Sequence, residues 1–376
     1  MQNKIMQNKI VPVTVAALIL LVPVLIIVLP KKDFSENENR MLQKVPVVTL
    51  KNIKEGVFSD EVEKYVSDHF PLRDELVSLK CSVQKIAGIK EFNNVFLGKG
   101  RLIQHIEEPQ TGVFEDRINR LCDNLEGTGT ELNLMLIPTN ATVYSSQLPK
   151  NAPDIVNEQA IIHEIYDNTN CNGIDVVKEL LNEKDNHNLY YNLDHHWNYY
   201  GAYAGYRQYC KQTGIEPKDI EDFERKTLAK DFRGTLYSKV LIKSMKPDVI
   251  EAVEFPESGI KVEYVDKKKE TNDYYDYSFL KKKDKYSVFG GGNQALQIVE
   301  NQESESEDEL VIVKDSFANC FVPFLVYHYR KIHIIDPRYY MPHISDYVKK
   351  NENVKDVLVL YNIDSLNNNS GIVKIK

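Results

Sequence analysis

Short blocks rich in aliphatic residues set the pattern of this chain. Leu132 to Ile137, Leu310 to Val313, Ile332 to Ile335 and Val357 to Leu360 are each bounded by polar residues. Such blocks suit strands covered on both faces, as in a parallel sheet beneath helices. Between and before them the spacing predicts helices over about 157 to 168, 199 to 212, 317 to 330 and 343 to 351. Tyr199, Tyr203, Tyr206 and Cys210 recur at three- and four-residue steps, and Gly214 supplies a stop. Ile174 to Val177 reads as a short strand, and Tyr286 to Val299 as a strand interrupted by Gly290-Gly291-Gly292-Asn293. Strand, helix, strand, helix, strand from residue 310 onward predicts an α/β fold with right-handed crossovers. Ligands on such sheets bind beyond the carboxyl ends of the strands, where Ser316 falls.

One apolar run is of a different kind. Ile10 to Leu29 holds only Thr14 and two prolines among aliphatic residues. At about 1.5 Å per residue it matches the ~30 Å thickness of bilayer hydrocarbon, which predicts a transmembrane helix. No small-x-small cleavage signal lies near Pro30, so the run reads as an uncleaved anchor. Lys4 and Lys9 precede it, while Lys31 and Lys32 after it are offset by Asp33, Glu36 and Glu38; this favours a short cytoplasmic tail with the bulk outside. The tandem MQNKI at the start is assigned no role. The expected organisation is a tail and anchor over 1–32, a linker and helical lead-in over 33–90, and a main domain over 91–376. Within the lead-in, Ser59 to Ile86 has helical spacing broken at Pro71. Within the main domain, about 215–285 alternates charged and apolar positions and reads as an insertion of loops with a hairpin.

Composition narrows the function classes. With 376 residues, 42% of them hydrophobic, the chain can bury an ordinary core. A net charge of -8, with lysines interspersed among acids, excludes nucleic acid as an expected partner. The five cysteines, at 81, 122, 171, 210 and 320, form no CxxC pair, which argues against a zinc cluster.

The candidate chemistry lies in two distant segments, Asp194-His195-His196-Trp197 and Lys314-Asp315-Ser316-Phe317. A serine between a buried strand and a helix has its hydroxyl where backbone N–H groups point outward, so it could attack a carbonyl while its own N–H holds the oxyanion. The same position also suits a plain helix N-cap. In an extended stretch Asp194 and His196 share a face and His195 points away. That makes His196 the better base, oriented by Asp194, and leaves His195 and Trp197 to brace or line a cleft. Gly292 and Asn293 are candidate oxyanion donors, against the alternative of a glycine-rich turn. Two adjacent histidines without a third ligand at recognisable spacing predict no metal site, and no cofactor is expected.

Together with Phe34-Ser35-Glu36-Asn37-Glu38-Asn39-Arg40, Phe70-Pro71-Leu72-Arg73-Asp74 and Ile335-Asp336-Pro337-Arg338-Tyr339-Tyr340, these segments resemble the DHHW proteins. Those proteins are similar to the alginate O-acetyltransferase group of SGNH-hydrolase-like enzymes. The resemblance implies a three-layer α/β/α sandwich with a parallel central sheet, and a permuted order in which the Asp-x-His segment precedes the serine. It implies a triad of Asp194, His196 and Ser316. It also implies a membrane-held, extracytoplasmic enzyme that acetylates an exopolysaccharide, with acetyl groups delivered through a membrane-bound O-acyltransferase. Removal of such acetyl groups, or a catalytically silent polysaccharide-binding subunit, are the alternative expectations. The 215–285 insertion matches nothing in the resemblance, nor does a carbohydrate-binding module follow the main domain.

Overall fold

The computed structural model describes residues 2–35, 40–255, 259–367 and 371–375. Residues 2–89 with Ser238–Ser244 form one compact unit, and Lys90–Tyr237 with Met245–Lys376 the other. In the first unit, helix Gln2–Val28 includes a segment, Val11–Val28, with a mean hydropathy of 3.0, long and apolar enough to cross a membrane. The lead-in forms helices Val57–Asp68 and Arg73–Ile86, separated at the 69–72 corner that contains Pro71. Asp68 caps this corner. It accepts from Arg40 at 3.0 and 2.5 Å and from the Gln43 N–H at 2.8 Å, while His69 Nε2 lies 2.9 Å from Gln43 O. The intervening Glu36 to Asn39 lie outside the described residues.

The second unit is built on one eight-stranded sheet. Its strands are β1 (Glu131–Ile137), β2 (Asn172–Gly173), β3 (Ile260–Tyr264), β4 (Lys269–Thr271), β5 (Leu296–Asn301), β6 (Glu309–Lys314), β7 (Lys331–Ile335) and β8 (Val354–Asn362), in the order β4-β3-β5-β7-β6-β8-β1-β2. β7, β6, β8, β1 and β2 run parallel. β5, β3 and β4 extend this core as antiparallel strands, so the sheet is mixed where a parallel one is expected.

Both faces are covered, which is why the central strands are mainly apolar on both sides. Leu134, Leu136, Val311, Val313, Val357 and Val359 pack with Phe114, Ile118 and Leu121 of α1 (Gly112–Leu125), Ile162 of α2 (Glu158–Asp167) and Ile344 of α5 (Ile344–Lys350). Met135, Ile137, Leu310, Ile312, Leu358 and Leu360 face the other way. They share a cluster with Leu180 of α3 (Val177–Glu183) and with Tyr206 and Tyr209 of α4 (Tyr199–Thr213). The result is the α/β/α sandwich, plus the one apolar N-terminal helix.

Four local expectations are corrected. Residues 174–177 are not a strand, because β2 ends at Gly173 and Val177 opens α3. Tyr286 does not begin one either: Lys285–Val288 is a 3-10 turn, and the following glycines all have positive φ, a conformation that leaves the pleated region. Only two short helical pieces, Ser316–Cys320 and Val322–Leu325, occupy the 317 to 330 stretch. The 215–285 segment carries the expected hairpin, but the rest of it is not simply loops. It supplies β3 and β4 to the sheet and a hairpin of Arg225–Phe232 with Asp248–Val253.

Candidate active site

Ser316 follows the carboxyl end of β6, flanked in the sheet by β7 on one side and β8 on the other. Asp315 holds the turn. Its Oδ1 accepts from the Phe317 N–H at 2.8 Å, and its Oδ2 accepts from the Asn362 N–H at 2.7 Å and from Ser365 Oγ at 2.6 Å. Asp315, not Ser316, is therefore the cap of the helical turn, which leaves the serine hydroxyl for other partners.

The distant Asp194-His195-His196-Trp197 segment meets this turn. Tyr190 and Trp197 form an isolated antiparallel bridge, and the Tyr191 N–H donates to His196 O at 3.2 Å, closing a tight loop. Asp248 accepts from the Asn192 N–H and side chain at 2.9 Å each and from the Leu193 N–H at 2.7 Å, anchoring the residues just before Asp194. Burial pushes the Asp248 carboxyl up to about 6. At the other end Asn198 caps α4, accepting from the N–H groups of Tyr200 and Gly201.

Asp194, His196 and Ser316 form one hydrogen-bonded line. His196 Nδ1 lies 2.5 Å from Asp194 Oδ1, and His196 Nε2 lies 2.8 Å from Ser316 Oγ. With the Nδ1–H donated to the carboxylate, Nε2 carries the lone pair that accepts the serine O–H. Burial alone would raise the Asp194 carboxyl, but the neighbouring charges of His195 and His196, with hydrogen bonds from His196 and the Thr235 N–H, hold it well below the usual carboxylate range. The His196 ring stacks on Tyr286 at 3.8 Å and 12°, and the Tyr286 hydroxyl donates to Ser316 O at 3.0 Å.

The other expected residues fall differently. His195 does not point away from His196. The segment is a run of bends, not an extended strand, so the two rings lie 3.9 Å apart and His195 Nδ1 sits 2.6 Å from Thr235 Oγ1. Trp197 lines no cleft. It is fully buried, stacks on Phe321 and donates from Nε1 to Phe317 O at 2.8 Å, tying its segment to the serine turn. Gly292 spends its N–H on Phe289 O at 3.2 Å, so it is not an oxyanion donor. Asn293 is half-buried, and its Oδ1 accepts from Lys314 Nζ at 2.8 Å. The ligand-capable atoms of Asp194, His195 and His196 lie within 4.8 Å of one another. His196 Nδ1, His196 Nε2 and His195 Nδ1 are engaged by Asp194, Ser316 and Thr235 respectively, and a metal ion would have to displace those bonds.

Sequence reasoning missed Gly234, Thr235, Asp248 and Tyr286. The Thr235 N–H and hydroxyl both donate to Asp194 Oδ2, at 2.7 and 3.1 Å. Gly234 makes room for that carboxylate, since a Cβ there would lie 2.0 Å from Asp194 Oδ2. Phe232-Arg233-Gly234-Thr235 lies inside the 215–285 insertion, and nothing in its spacing connects it with Asp194.

The sequence signature of the family described as DHHW protein matches residues 114–335. Among solved structures, a DHHW family protein from Eubacterium siraeum superimposes with a TM-score of 0.63 at 22% identity, covering 75% of this chain and 97% of that one. PatB1 of Bacillus cereus gives 0.61 at 19% identity, covering 75% of this chain and 99% of its own. A looser likeness, 0.45 at 15% identity over 73% of this chain and 92% of that one, is to the O-acetyltransferase domain of Pseudomonas putida AlgJ. No curated protein sequence matches the chain.

Proposed function

The chain belongs to the DHHW family, and from that premise we propose that it is an extracytoplasmic O-acetyltransferase acting on an exopolysaccharide or cell-surface polysaccharide. The observation that carries this reading is the continuous line from Asp194 Oδ1 through His196 to Ser316 Oγ, at 2.5 and 2.8 Å. Catalysis is assigned to 91–376, with Gln2–Val28 as a single-pass anchor.

Ser316 Oγ attacks the carbonyl carbon of an acetyl donor presented by a membrane-bound O-acyltransferase, and its proton moves to His196 Nε2. Asp194 holds the imidazole in the required tautomer and stabilises the imidazolium. The tetrahedral oxyanion is held by the Ser316 N–H and the Asn293 amide. Collapse breaks the bond to the donor's leaving group, which takes the proton from His196 and leaves an acetyl ester on Ser316. A sugar hydroxyl then attacks this ester, giving its proton to His196 as the C–O bond forms. Breakdown of the second tetrahedral species returns that proton to Ser316 Oγ. General acid–base catalysis of this kind supplies roughly 10²–10⁴ in rate.

Turnover of 4-nitrophenyl acetate tests the nucleophile. Ser316→Ala should abolish it with an unchanged circular dichroism spectrum, and a denatured-quench mass spectrum of the wild type should show an acetyl increment on the Ser316 peptide. Persisting turnover in the variant sinks the triad. Transfer is tested by adding an oligosaccharide acceptor: acetate release should fall as acetylated sugar accumulates, whereas acetate release that no acceptor diverts identifies an esterase.

A further inference from the structure

Lys314 ends β6, two residues before Ser316, with only 2% of its side chain exposed. An ammonium this deep is retained only where charge and hydrogen bonds compensate its lost hydration. Its Nζ donates to Asn293 Oδ1 at 2.8 Å and to Asn319 Oδ1 at 2.7 Å, with Asp336 Oδ2 3.7 Å away. Asp336 is held in turn by Arg338, whose Nε and Nη2 donate at 2.8 and 2.5 Å. Burial lowers Lys314 to about 8 against the pull of Asp336.

The bonding has a logical consequence for the two amides. An ammonium can only donate, so the atoms that face it must be amide oxygens, and each NH₂ is turned the other way. The Asn319 NH₂ is accounted for, donating to Asn293 Oδ1 at 3.3 Å. Asn293 thus has its oxygen gripped from two sides. Its backbone is set by Gly290, Gly291 and Gly292, all left-handed at φ 63, 65 and 83°, a run that only glycine adopts without strain. Gly290 is also closely packed, since a Cβ there would lie 2.9 Å from Gln297 Oε1.

We infer that Lys314 is a positioning residue: by holding the Asn293 oxygen it presents the Asn293 N–H, and not the C=O, to the oxyanion that forms at Ser316. This rests on the reading of Ser316 as nucleophile. Reversal of that amide would aim a carbonyl dipole at developing negative charge, turning a stabilising group into a repulsive one.

A double-mutant cycle on 4-nitrophenyl acetate, in the full chain, tests it. Asn293→Ala should lower kcat about 10²–10³-fold, the range for one oxyanion donor, with KM within a few-fold. Lys314→Met should lower kcat similarly, and the double variant should be no worse than Asn293→Ala alone, because Lys314 acts through that side chain. Lys314→Gln, which keeps one amide donor, should recover part of the loss. Additive effects, a change confined to KM, or an unchanged kcat in folded Lys314→Met would overturn the inference. If neither Lys314 variant folds, unchanged kcat in Asn293→Ala overturns it alone. Ser316→Ala run alongside separates the two readings: its turnover reports on the nucleophile, and the cycle reports on Lys314.

Discussion

Asp194 fits where it does because residue 234 has no side chain. Gly234→Ala would put a methyl group against the carboxylate, so it should displace Asp194 and destabilise the protein by about 1–3 kcal/mol, with a fall in kcat that Asp194 variants do not deepen. Thermal unfolding and ester kinetics on single and double variants check this. Asp194→Asn should cost about 10⁴ in kcat, since a side-chain amide can favour the wrong imidazole tautomer; a loss under tenfold would deny Asp194 its orienting role. At this scale the sequence was legible in part. Residue types and the two-residue step singled out Asp194 and His196, yet the alternation argument behind that choice does not describe the loop, where the closed Tyr190–Trp197 bridge bends the chain and brings His195 alongside. Thr235 could not have been found, because a hydroxyl and a backbone N–H 41 positions downstream leave no periodic trace.

Elements were more legible wherever burial was two-sided. β1, β6, β7 and β8 each hold a mainly apolar block, since strands covered on both faces carry few polar positions, buried Asn133 in β1 and His333 in β7 being exceptions. β3 has the opposite signature: Ile260, Val262 and Tyr264 are buried, with half-buried Lys261 and Glu263 between them. Its pattern was present in the sequence as charged and apolar alternation, but nothing local says that such a strand joins β5 at Val262↔Val299. Register across 37 residues is a tertiary fact. Helix caps belong to this scale too. Asn198 joins the bent loop to α4, so Asn198→Ala should cost about 1 kcal/mol and lower the thermal midpoint by a few degrees; an unchanged midpoint would mean that packing of α4 alone fixes its start.

For the whole molecule, buried ionisable groups set the response to pH. Glu158 is fully buried, accepting from the Thr139 N–H and hydroxyl at 2.5 Å each, and burial pushes its carboxyl up to about 7. Between the ordinary carboxyl value, 4.5, and about 7 the folded chain keeps a proton that the unfolded chain has released. Stability therefore falls as pH rises through that window, by an amount on the order of 3 kcal/mol for this group. Asp248, raised to about 6, acts with the same sign. Glu158→Gln can keep both contacts without a charge, so its unfolding free energy, measured in urea from pH 5 to 7, should decline less steeply than wild type. Equal slopes would show that Glu158 is not the group responsible.

The indole that joins the two motif segments is also the only one in the chain. Its emission thus has a single source, buried between α4 and the serine turn, where Gly205 leaves room for the ring at a distance that a Cβ would reduce to 2.8 Å. Tryptophan fluorescence of the unlabelled protein is accordingly a local optical gauge of that turn: a red shift on titration with denaturant or acyl donor reports loosening beside Ser316 itself, without any engineered probe.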